Sequence, residues 1–146
     1  LAPAVLIAMN VVYSVGAYPS GILADRLPSK WVLAAGIIVL IAADLILAVT
    51  GSLFGAFCGI ALWGAHMALT QGLFSKLVAD SAPEDLRGTA FGIYNLITGL
   101  ALLAASGIAG MLWTQFGPLW TFSAGAGFAG LALLFLAQTR PRPQLI

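Results

Sequence analysis

The sequence predicts an all-α, polytopic membrane protein with five transmembrane helices, and three observations carry that reading. The 146 residues are 61% hydrophobic and 8% charged, whereas a soluble domain is about half apolar and about a quarter charged. The mean hydropathy of +1.04 leaves too few polar residues to clothe a water-facing surface. The apolar residues also come in long unbroken runs. A transmembrane barrel would instead alternate polar and apolar residues over segments of about ten.

A hydrocarbon layer about 30 Å thick is crossed by roughly 20 residues of helix, and charges and turn residues cut the chain into five such lengths. The first span is predicted over residues 3–24 and is stopped by the charges between Asp25 and Lys30. The second covers 31–50 and ends at Gly51 and Ser52. The third covers 53–74 and continues as a short amphipathic turn, Ser75 to Asp80, towards Pro83. The fourth covers 89–113 and the fifth 119–137, with Gly117 and Pro118 as the breakers between them. Residues 1–138 are thus expected to form one transmembrane helical domain, and 139–146, polar and punctuated by proline, a cytoplasmic tail. The chain opens at Leu1 inside an apolar run, without an initiator methionine or the basic flank of a signal peptide, and reads as a fragment.

Orientation follows from the basic residues, because cytoplasmic loops carry the excess of Lys and Arg. All six of them, Arg26, Lys30, Lys76, Arg87, Arg140 and Arg142, fall at three places that five crossings put on one side. The links around Gly51 and Gln115 carry none. The C-terminus is therefore expected in the cytoplasm, and the lipid bilayer partner is expected to be a bacterial plasma membrane. Trp31, Trp113 and Trp120 fall at span ends, where an interfacial aromatic belt accounts for them. The net charge of +1 comes without a basic stripe and points to no nucleic-acid partner. The single cysteine, Cys58, excludes an intrachain disulfide and a cysteine-built metal site. No cofactor and no metal are expected.

The order of residues around the first charged link adds a second layer. In SGILADRLPSKW, residues 20–31, the positions Gly21, Leu23, Asp25, Arg26 and Lys30 match a loop motif of roughly G-x-L-x-D-R-x-G-R-[KR]. Pro28 stands in place of the later glycine, and Ser29 in place of one basic residue. This stretch resembles the cytoplasmic loop of the major facilitator superfamily. A second stretch, PEDLRGTAFGIYN from Pro83 to Asn95, resembles that superfamily's R-G-x-x-x-G entry into the next helix, here Arg87, Gly88 and Gly92.

The resemblance covers nearly the whole chain and implies five helices of a six-helix half. They are assigned as helices eight to twelve of twelve. The fourth span lacks the G-P-x-x-G element expected of the fifth helix in proton antiporters of the family, and the tail is short. It further implies a secondary active transporter working by alternating access, proton-coupled, with a small solute bound between this half and a missing N-terminal half. Gly21, Asp25, Arg26, Lys30, Arg87 and Gly88 would form its cytoplasmic gating motif. Physically, Asp25 suits a helix N-terminus, where unpaired N–H groups and the dipole favour an anion. Arg26 and Lys30 are expected to pair with acidic groups of a neighbouring loop, Glu84 and Asp85 being candidates. Contacts made in one state and lost in another are what a conformational switch requires.

Ionisable residues inside a span are functional candidates by default. Asp44 lies about 9 Å by helical rise from the outer end of the second span, and His66 about 20 Å from the outer end of the third. The difference in depth argues against a direct pair. Trp63, His66, Thr70 and Gln71 recur at spacings of three and four and share a face. The resemblance makes the third span a cavity-lining helix and the second a supporting one. Those four residues, with Asp44 and Asn95, are the candidates for solute or proton contact. Asn95 on the fourth span, with Tyr94 and Thr98, and Asn10, Tyr13 and Ser14 on the first, suit either a pore lining or bonding between helices. Glycines at 51, 55 and 59, at 107 and 110, and at 125, 127 and 130 suggest close helix packing.

Two rival functions are weaker. A membrane-embedded enzyme would need converging catalytic groups, and no paired carboxylates, H-E-x-x-H or serine with a base is present. A non-transporting scaffold or accessory subunit would explain the spans and glycines but not the ordered loop motif.

Overall fold

The computed structural model describes residues 2–139. It contains five long helices, α1 (Ala2–Arg26), α2 (Ser29–Val49), α3 (Leu53–Ser81), α4 (Arg87–Phe116) and α5 (Pro118–Gln138), with a single 3₁₀ turn at Glu84–Leu86 before α4. All five are long and apolar enough to cross a membrane, and the protein is an all-α polytopic membrane protein. The expected tail lies outside the described residues from position 140 onwards.

Local chemistry sets the boundaries. Ser52 accepts a hydrogen bond from the Gly55 N–H at 3.1 Å, satisfying one of the donors left open at the start of α3. Gly117 has φ +83°, a conformation that side-chain-bearing residues rarely adopt, and its N–H closes α4 onto the carbonyls of Leu112 and Trp113. Pro118 then begins α5, where a missing N–H costs nothing. The amphipathic turn predicted after Phe74 is the last part of one continuous helix. Ser75 and Ser81 return their hydroxyls to the carbonyls four residues back, and no proline intervenes before Pro83. Likewise α4 begins at Arg87, two residues before the expected start, because the turn at Glu84–Leu86 leads straight into it.

α3 packs against both α1 and α2, α2 packs against α5, and α4 lies more sparsely against α5 and α3. Contacts fix the directions. Gly16 meets Ala68 and Gly64 meets Met9, so α1 and α3 run parallel. Gly36 meets Thr70 and Gly59 meets Leu47, so α2 and α3 are antiparallel. In consequence Asp25, Arg26, Lys30, Lys76 and Arg87 gather at one end of the bundle, called here the basic end. A small core of Ala24, Val32 and Leu73, flanked by Leu33, Leu69 and Leu77, sits beneath it.

Only some of the glycines that spacing suggested pack against a neighbouring helix. A Cβ at Gly51, Gly107, Gly110, Gly127 or Gly130 would meet nothing within 4 Å, whereas one at Gly64 would lie 2.6 Å from the Met9 carbonyl oxygen. Spacing along a helix does not reveal which stripe faces a neighbour. Of the expected set, Gly59 and Gly125 do lie at helix contacts.

Candidate functional site

Polar chemistry is concentrated at the basic end and the α2–α3 seam, with one buried carboxyl, Asp44, at the α2–α5 seam. At the basic end the Lys76 ammonium lies 2.9 Å from the Asp25 carboxylate and also donates to the Ala24 carbonyl at 3.2 Å. One lysine of α3 thus neutralises the aspartate and caps the C-terminal end of α1, where open carbonyls favour a cation. Lys30, at the start of α2, does the same for α5. It donates to the Ala137 carbonyl at 3.1 Å and also to that of Thr139. Arg26 closes α1 and is exposed. Arg87 opens α4, 3.9 Å from Glu84 three residues before it. Gly88 follows with open space around it.

These contacts correct the pairing expected for the loop. Lys30 reaches the carbonyl end of α5 instead of Glu84 or Asp85, because the start of α2 lies beside the end of α5. Asp25 meets the Lys76 ammonium instead of a helix N-terminus. Beside this pair a crevice of about 210 Å³ runs between α1 and α3, with Tyr13, Ser20 and Gly21 among its lining residues.

In the interior, His66 Nδ1 lies 2.8 Å from the Gly36 carbonyl oxygen across the α2–α3 seam. A carbonyl only accepts, so Nδ1 carries the hydrogen and Nε2 is the nitrogen left to accept or bind a proton. Thr70 returns its hydroxyl to the His66 carbonyl at 2.9 Å and is buried against Gly36. Trp63 and Gln71 remain exposed, as does Asn95 on α4. The predicted four-residue face therefore divides, with His66 and Thr70 turned into the seam and the other two outside it. Asp44 is buried on α2 against Gly125 of α5, well away from His66 along the helix. Among the described residues no cluster of three or more His, Cys, Asp or Glu side chains could hold a metal ion.

The family model described as Major Facilitator Superfamily matches residues 2–145. The chain belongs to the major facilitator superfamily. It is also 38% identical over 136 residues to an uncharacterized MFS-type transporter of Methanocaldococcus jannaschii, covering 91% of this chain and 34% of that protein. The chain therefore spans about a third of the length of the curated relative it matches. No solved structure matches it significantly.

Within this superfamily chain, three contributors escaped the reading of the sequence. Lys76 looked like a flanking charge and is the partner of Asp25. Gly36 lies in an unremarkable apolar run and supplies both the carbonyl for His66 and the space for Thr70. Gly125 was one of several glycines, yet it is the one that admits the Asp44 carboxyl. A signal existed only for the last, since a carboxyl inside a span needs room on some neighbour.

Proposed function

We propose that this superfamily chain forms part of a secondary active transporter of a small solute, contributing helices eight to twelve of twelve. The basic end faces the cytoplasm in this reading, and the Asp25–Lys76 pair, with Arg26, Lys30, Arg87 and Gly88, belongs to the gate on that side. The observation that carries the proposal is the junction itself. Residues of the loop motif hold helix ends together through exposed contacts, one ion pair and one lysine-to-carbonyl hydrogen bond, which separate at low cost when the helices move. The solute cavity lies between these helices and a second half, with Nε2 of His66 as the group that exchanges a proton in coupling. Support for that role is the tautomer imposed by Gly36, which leaves one basic nitrogen uncommitted.

The deciding experiment is a solute screen with the protein expressed from its complete gene and reconstituted in proteoliposomes, with and without a pH gradient. Uptake of a solute that the gradient accelerates is expected. Binding without net movement of any solute would refute transport. Orientation has its own check: cysteines placed at Gly51 and Gln115 should react with an impermeant thiol reagent added outside intact cells. Labelling from the cytoplasmic side alone would reverse the topology.

A further inference from the structure

Four of the five acidic residues, Asp25, Asp80, Glu84 and Asp85, sit exposed at the basic end. The fifth, Asp44, is 5% exposed inside α2, about four turns from that end. Its carboxyl faces α5. A Cβ built on Gly125 would lie 2.7 Å from Oδ2 and 3.4 Å from Cγ, so the carboxyl rests on the α5 backbone in the space of the absent side chain.

The surroundings define which form of the group this space accepts. α5 carries no titratable side chain between Pro118 and Gln138. On α3 the titratable groups are Cys58, His66, Lys76 and Asp80. Lys76 is committed to Asp25 at the basic end, and His66 to Gly36, eight residues before Asp44 along α2. Cys58 is the one group at similar depth, and a thiol is neutral and a weak donor. α1, which touches α2 slightly, carries Tyr13, Tyr18, Asp25 and Arg26. Neither ion pair among the described residues includes Asp44. A carboxylate held among apolar helices without a cation is far costlier than the neutral acid.

We propose that Asp44, seated against Gly125, is a proton-binding site at the α2–α5 seam. The seam closes around the carboxylic acid. When the proton leaves to water, the carboxylate must regain solvent, and α2 and α5 part around it. The site lies about two turns along α2 from the His66 contact and turned about 80° from it around the helix axis, and it stands whether or not the chain moves a solute.

Infrared spectroscopy of the protein expressed from its complete gene, in lipid vesicles at neutral pH, tests this directly. The wild-type protein should show the carbonyl band of a protonated carboxylic acid, and Asp44→Asn should lose that component. Carbodiimide, which reacts with protonated carboxyls in apolar surroundings, should modify Asp44, as read by peptide mass spectrometry. Identical infrared spectra for the two proteins, or modification confined to other carboxyls, would overturn the proposal. Should Asp44→Asn not accumulate, Asp44→Ser serves as the comparison, and the wild-type modification map decides independently of any variant.

Discussion

The Asp25 carboxylate and the Lys76 ammonium stand 2.9 Å apart, joining the basic ends of two parallel helices whose pairing residues are 51 positions apart in the chain. Both side chains are substantially exposed, 74% and 41%. Such a pair contributes little to stability but reports the relative position of α1 and α3. Neutralising it with Asp25→Asn should leave the protein folded and shift its inward–outward balance, read as changed cysteine accessibility on the two sides. The charge swap Asp25→Lys with Lys76→Asp should restore much of the original balance. If neither variant alters accessibility, the pair has no part in gating.

His66 separates structural from chemical roles. Asparagine places an N–H donor near the position of Nδ1 and removes Nε2, whereas phenylalanine removes both. His66→Asn is therefore expected to melt close to wild type. His66→Phe should lose about 1 kcal/mol, the typical net worth of one internal hydrogen bond. Proton-coupled uptake should fall in both if Nε2 exchanges the proton. A normal coupled rate in His66→Asn would remove that role.

Helix packing predicts unequal glycines. Gly64→Leu drives a side chain into the Met9 backbone, which a Cβ would already approach to 2.6 Å, and should cost about 1–3 kcal/mol or more. Gly107→Leu enters open space and should be close to neutral. Thermal unfolding in one detergent compares them. Equal losses would contradict the observed α1–α3 contact.

Lys30 caps the end of α5. Lys30→Met should leave the interior unchanged and loosen the last turn before Thr139, raising amide hydrogen exchange at Leu136 to Thr139 several-fold. Unaltered exchange there would show that the cap contributes nothing. The same variant should show no change at the α2–α3 seam, where His66 holds Gly36.

Much of the architecture was legible before any coordinates. Span number, approximate limits and the gathering of cationic residues at one end followed from hydropathy runs and charge placement, because a bilayer imposes one length and one polarity rule on every crossing. The loop motif pointed to the superfamily for a related reason, since the residues at a water-exposed link are few and their order is informative. Helix limits moved by a few residues where a polar stretch without proline continued a helix, as at Ser81, or a 3₁₀ turn led straight into one, as at Arg87.

Pairing was not legible. The sequence alone determined which segments are long and apolar enough to cross a membrane and where the charges fall between them, since hydropathy is a property of each segment by itself. Only the tertiary structure decided that Lys76 answers Asp25, that the end of α5 answers Lys30, and that Gly125 makes room for Asp44. Those choices depend on which helix lies beside which and on the rotation of each about its axis. In a chain apolar on nearly every face, no amphipathic stripe encodes that rotation. It is set by close contact at particular small residues.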